Sequence, residues 1–195
     1  MAVGRPRGFD TDQALERALK VFWRKGYEGT TLPDLTEAMD INRPSLYAAF
    51  GNKEALFRKV LDRYADGPAA YVREALEEPT ARRVAERLLL GAVDLVTNPR
   101  HPGGCLAVHG ALACGDEAQS IRRELIARRV KREAALRQRF QRAKSEGDLS
   151  ASASPADLAR YITTIVQGLA VQAASGASRN ELQRVAKTAL RAWPK

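Results

Sequence analysis

Apolar residues recur along this chain at helical spacing, and no segment shows the strict alternation that a half-buried strand needs. The first stripe is Ala14, Leu15, Ala18, Leu19 and Phe22, opened by Asp10 with Gln13 in a capping-box pattern and stopped by Gly26. Leu32, Leu35 and Met39 then fall at i, i+3 and i+7 behind Thr31, a good N-cap, with Pro33 tolerated in the first turn. Asp40 stands where the chain must turn, and Asp is among the few non-glycine residues that accept a left-handed backbone. Asn42 can cap the next helix, which places Leu46 and Phe50 on one inward face, and Gly51 ends it. Asn52 caps a fourth helix that carries Leu56, Phe57, Val60, Leu61 and Tyr64. Beyond Gly67 and Pro68 the same periodicity predicts helices over about 69–76, 80–97, 105–113, 117–145, 155–175 and 179–193, separated by Gly and Pro breaks. The expectation is an all-α chain. Its small N-terminal unit, residues 1–66, has three core helices, and a larger helical unit spans 67–195.

The stretch 31–57 matters for what it leaves outside. With Leu46 and Phe50 inward, helical geometry turns Pro44 and Ala48 outward, with Ser45 and Tyr47 on the flanks and Arg43 at the leading end. A short helix with small outward residues and an exposed N-terminus can lie in a DNA major groove. Helix, turn and protruding helix make a helix-turn-helix module.

On these residues the segment from about Asp10 to Val60 resembles the DNA-binding signature of the TetR family of transcriptional regulators. The run INRPSLYAAFGNKEALF carries the likeness, through Tyr47, Phe50, Gly51 and Lys53. Asp40 and Thr36 depart from it, standing where the family usually has Gly and Ala. The resemblance implies a fourth helix linking the DNA-binding domain to a regulatory domain, and a homodimer formed through the last two helices. It also implies a small-molecule effector bound among the middle helices. The matching positions divide by chemistry. Tyr47 and Lys53 suit phosphates, aided by Thr31 and the amides at the second helix's N-terminus. Arg43 can reach a guanine edge or a phosphate and Ser45 either, while Pro44 and Ala48 offer apolar surface to thymine methyls.

Composition alters this reading in two respects. The net charge is +9, yet residues 1–66 hold 11 Lys and Arg against 10 Asp and Glu. Global basicity therefore does not argue for DNA; local placement does, through Arg43, Lys53 and Arg58, and through Arg5 and Arg7 in the Gly- and Pro-rich arm. That arm either reaches a minor groove or merely solubilises the chain. The surplus lies in one long helix, where 120–144 contains ten Lys and Arg and only Glu124 and Glu133. It reads as a solvated outer face held by Ile121, Leu125, Val130 and Phe140, or alternatively as turning one or two arginines inward to an anionic effector or a carboxylate. Small residues from Gly168 to Ala177 let the last two helices approach closely, which suits a two-fold interface.

Candidate chemistry is sparse. Trp23 and Tyr27 read as core or seam residues. His101, Cys105, His109 and Cys114 fall in one short stretch, but Pro102-Gly103-Gly104 breaks the helix that would align them, so no metal site and no cofactor is expected. Cys105 near a helix N-terminus is a candidate thiol or electrophile sensor, the alternative being a buried, inert cysteine. A helical-bundle hydrolase or metal enzyme using His101, Cys105 and His109 would lack an oxyanion device and a general acid, so no enzyme is expected. No run has the apolar length of a membrane span, the start lacks a secretory pattern, and two cysteines make no disulfide framework; a cytoplasmic protein without a membrane partner is expected. The reading is a ligand-responsive transcriptional regulator, a repressor acting as a homodimer on a double-stranded DNA operator. A core poor in aromatics points to a modest apolar effector.

Overall fold

A computed structural model describes residues 8–108 and 118–194. Arg5, Arg7, His109 and Cys114 lie outside the described residues. The described helices are α1 (Thr11–Lys25), α2 (Leu32–Met39), α3 (Arg43–Phe50), α4 (Lys53–Asp66), α5 (Tyr71–Leu76), α6 (Ala81–Val96), α7 (Gln119–Ser145), α8 (Pro155–Ala174) and α9 (Arg179–Arg191). Residues 106–108 are also helical, and no strand occurs among the described residues.

The caps fix where α1 to α4 begin and end. Asp10 accepts from the amides of Asp12 and Gln13 at 2.9 and 3.1 Å. This cap is one-sided, contrary to the box expected from sequence, because Gln13 Oε1 instead accepts from Arg17 at 3.1 Å. Between α2 and α3, Asp40 takes the left-handed conformation at φ 56° while its amide donates to the carbonyls of Glu37 and Thr36. Thr36, the second departure from the family pattern, donates its hydroxyl to the carbonyls of Leu32 and Pro33. Asn42 caps α3 through the Ser45 amide at 2.9 Å, and Asn52 caps α4 through that of Ala55 at 2.8 Å.

Phe22, Phe57 and Tyr27 form the centre of the first core. Phe57 meets Phe22 edge-on at 4.9 Å and lies 5.1 Å from Tyr27. Leu19, Leu35, Leu46, Leu56 and Val60 close around them, all buried. This core does not stop at α4, for Leu95, Leu106, Ile121 and Leu125 belong to it as well. Trp23 makes the seam: its ring meets Tyr64 edge-on at 4.8 Å and its Nε1 donates to the Gly104 carbonyl at 3.1 Å. The second core is built on α6, which packs against α5, α8 and α9. Gly91 of α6 is required by close approach, because a Cβ there would come within 2.4 Å of the Tyr71 ring.

α7 departs from expectation in one residue. Ile121, Leu125 and Phe140 are buried, but Val130 is 63% exposed. At 100° per residue Val130 sits about 140° around the helix from Leu125, off the stripe that Leu125, Leu136 and Phe140 share. Of the basic positions on α7, Arg139 is buried, and it donates to the carbonyls of Leu76 and Glu78 at 3.1 and 2.6 Å, at the C-terminal end of α5. Arg128 binds Asp62 at 2.7 Å and Glu124, and Arg58 of α4 binds Glu124 at 3.2 Å. Those bonds, Arg128's above all, hold the Glu124 carboxyl below its ordinary pKa. They tie α4 to α7 next to the first core. Among the described residues no helix is long and apolar enough to cross a membrane.

Candidate nucleic-acid interface

α3 has two faces with different work. Leu46 and Phe50 are 0% and 5% exposed and hold the helix onto the core, while Arg43, Pro44, Tyr47 and Ala48 are exposed and Ser45 is half-buried on the flank. Tyr47, at 48%, is a large side chain left in solvent. Among the described residues Arg43 and Tyr47 form no side-chain hydrogen bond or ion pair. Among the described residues the side chains of Arg43 and Tyr47 on the outward face are thus uncommitted.

The flanking cations are held more tightly than sequence alone indicates. Lys53, at the start of α4, places its ammonium 4.5 Å from the centroid of the Tyr27 ring. Burial lowers its pKa, and the Glu28 and Asp34 charges oppose that shift. At the N-terminus of α2 the Thr31 hydroxyl accepts from the Asp34 amide at 3.2 Å, and the Asp34 carboxylate accepts from the Thr31 amide at 2.9 Å. Lys25 completes the group at 2.6 Å, and its hydrogen bond is the first cause of an Asp34 pKa lowered to about 2. This corrects the picture of freely offered amides at α2: the Thr31 amide is already engaged by a carboxylate. Among the described residues the Thr31 hydroxyl oxygen only accepts, so its proton is uncommitted there.

Residues 14–60 match the family model described as bacterial regulatory proteins, tetR family, and residues 80–189 match a tetracyclin repressor-like C-terminal domain. The HTH-type transcriptional repressor ComR of Escherichia coli (strain K12) is 36% identical over 193 residues, covering 98% of this chain and 92% of that protein. The chain belongs to the TetR family of transcriptional regulators. An uncharacterized HTH-type transcriptional regulator of Bacillus subtilis (strain 168), YezE, is 33% identical over 82% of this chain and 84% of its own. Among solved structures, a cysteine mutant of the TetR family regulator CifR, complexed with 26 bp double-strand operator DNA, is 44% identical. The TM-score is 0.93, over 97% of this chain and all of that one.

Within this TetR-family chain a cavity of about 320 Å³ opens between α4, α5, α6, α7 and α8. Its walls include Leu76, Leu88, Leu136 and Ile162, and the polar groups on it include Tyr64, Tyr71, Cys105 and Arg132. Cys105 is half-buried at the head of helical residues 106–108, and its Sγ lies 3.1 Å from the Tyr64 hydroxyl, which donates to it. Burial pushes both the Tyr64 and the Tyr71 phenols up, so both remain protonated donors. Of this lining, sequence reasoning singles out only Cys105; for the rest the isolated Gly91 within a helical pattern is the available signal, since it marks the seat of the Tyr71 ring. Among the described residues no three His, Cys, Asp or Glu side chains form a group that could hold a metal. The His101 ring instead lies against Trp23 at 5.0 Å.

Proposed function

We propose that this TetR-family regulator is a repressor that binds a double-stranded DNA operator as a homodimer and is released by a small-molecule effector. The observation that carries the reading is α3 itself, anchored by Leu46 and Phe50 and presenting an exposed outer face. The Escherichia coli relative ComR, a transcriptional repressor, and the operator duplex bound by CifR support the direction of regulation and the partner. The functional division falls near residue 66, where Gly67 ends α4. The DNA-contacting set is Thr31, Arg43, Pro44, Ser45, Tyr47, Ala48 and Lys53, joined by Arg5 and Arg7 of the arm. The site of action is the cytoplasm, where operator DNA is found.

The dimer reading rests on α8 and α9. Tyr161, Thr164, Gly168 and Val171 make an exposed stripe of apolar and small residues along α8, and Val185 is 49% exposed on α9. Two recognition helices in such a dimer must meet successive major grooves about 34–36 Å apart. The effector acts by binding the DNA-incompetent arrangement more tightly than the competent one, because a ligand with equal affinity for both shifts nothing. The cavity lies against α4, whose bonds to α7 through Arg58, Glu124 and Arg128 set where the N-terminal helices sit.

The test is operator retardation with single substitutions. Tyr47→Phe and Lys53→Ala are expected to weaken all bound duplexes alike, because phosphate contacts carry no sequence information. Arg43→Ala is expected to change the relative preference among duplexes differing in one base pair, by about tenfold at the affected position. Equal losses across all duplexes for the three variants would overturn the assignment. A second reading, that Cys105 reports oxidants or electrophiles, is supported by the position of its sulfur on the cavity wall beside Tyr64. Cys105→Ser is then expected to abolish release of DNA by an oxidant such as hydrogen peroxide, and unchanged release would remove this reading.

A further inference from the structure

The cavity's charged lining is lopsided. Arg73, Arg129, Lys131 and Arg132 stand around it with Asp66 the single carboxylate, and Asp66 is taken up by Arg73 at 3.0 Å. Other arginines nearby are matched: Arg128 holds Asp62 and Glu124, Arg58 holds Glu124, and Arg139 holds two carbonyls. Arg129 and Arg132 are not matched in this way. Both are half-buried against the cavity, and among the described residues neither side chain forms an ion pair or a hydrogen bond. Arg132 lines the same cavity as Tyr64 and Tyr71, and its charge lowers the pKa of both phenols against the larger, opposite effect of burial. The Tyr71 hydroxyl likewise has no hydrogen-bond partner among the described residues, although its ring is fixed on Gly91.

We propose that the cavity is an anion site: it takes a small apolar molecule with a single negative charge, a carboxylate or sulfonate. The charge sits on the Arg132 guanidinium with the Tyr71 hydroxyl as second donor, and the body lies on Leu88, Leu136 and Ile162. This names the effector class of the reading above and rests on it only for the consequence at DNA. Desolvation selects the class. An unpaired guanidinium facing an apolar space keeps its hydration while the space holds water. A neutral apolar occupant strips that water and gives nothing in return, which is costly. An anionic occupant replaces the water with a charge-assisted pair in a poorly solvated site, where such a pair is strongest. A space of 320 Å³ equals about ten waters at ~30 Å³ each, room for an aromatic or medium-chain acid.

Two fluorescent probes that share one ring system decide it. 8-Anilinonaphthalene-1-sulfonate carries the charge, and N-phenyl-1-naphthylamine is the same body without it. Titrated into the intact chain without DNA, the sulfonate is expected to saturate one site per chain at least tenfold more tightly than the neutral probe. Arg132→Gln is expected to bring the two within about twofold, and Arg132→Lys to keep most of the preference. Arg122→Gln, which removes an exposed arginine of the same helix away from the cavity, is expected to leave the tenfold ratio intact. Equal binding of both probes by the unsubstituted protein would overturn the proposal, with no variant needed. Retention of the ratio in Arg132→Gln, or its equal loss in Arg122→Gln, would do so too. Because the readout contains no DNA, its failure leaves the operator reading standing, and failure of operator binding leaves this one standing.

Discussion

Phe57→Ala is expected to destabilise the chain by about 3–5 kcal/mol, the range for removing a fully buried aromatic side chain. Phe57 is 0% exposed, edge-on to Phe22 at 4.9 Å and against Tyr27 at 5.1 Å. Few neighbours can move into the space: Phe22 and Leu56 are themselves fully buried, and close-packed interiors relax only partly around a void. The loss also reaches the DNA side. Tyr27, which carries the Lys53 ammonium on its ring, leans on Phe57, so the same substitution is expected to loosen a cation proposed to hold phosphate. Denaturant unfolding measures the first effect through its midpoint. A loss below about 1 kcal/mol would mean that this aromatic cluster is not the centre of the N-terminal core.

The electrostatic ties between α4 and α7 belong to a different scale. Arg58, Glu124, Arg128 and Asp62 are each partly in solvent, and exposed pairs contribute about 0–1 kcal/mol apiece. Their role is positional. They tie α4 to α7, while Phe57, Val60, Leu61 and Tyr64 supply the adhesion to the first core.

What could be read from sequence was local, and what could not was assembled at long range. Thr31, Asp40, Asn42, Gly51 and Asn52 are caps and turns whose chemistry acts within four residues, so their positions alone fix α2, α3 and the start of α4. The Leu46 and Phe50 spacing then divides α3 into an inner and an outer face without reference to anything distant. Val130 reads as an inner-side residue although its spacing from Leu125 already turns it away; on a long, highly basic helix the apolar stripe is thin enough for one valine off it to be misread. The one-sided cap at Asp10 and the engaged amide of Thr31 turn on which of two available partners a side chain takes, Arg17 in one case and Asp34 in the other. Of the cavity, only Cys105 and the alternative of one or two inward arginines on the long basic helix are in reach. Which arginines these are emerges only once Arg128 and Arg139 have found partners on or beside α4 and α5, leaving Arg129 and Arg132 on the cavity without one among the described residues.

That the outer face of α3 lies against duplex DNA is exposed to its hardest trial by Ala48→Glu. Ala48 is exposed and mid-helix, and Glu is a good helix former, so thermal melting is expected to move by no more than about 0.5 kcal/mol equivalent. A carboxylate there would face phosphates and base edges across a desolvated contact, where a misplaced like charge costs several kcal/mol. The assay is a fluorescence-anisotropy titration, at fixed salt, of a duplex that the unsubstituted protein has selected from a randomised pool. At least a hundredfold loss of affinity is expected for Ala48→Glu, with an unchanged melting curve. Affinity kept within about threefold, or an unsubstituted protein that selects no duplex at all, would show that this face does not meet DNA.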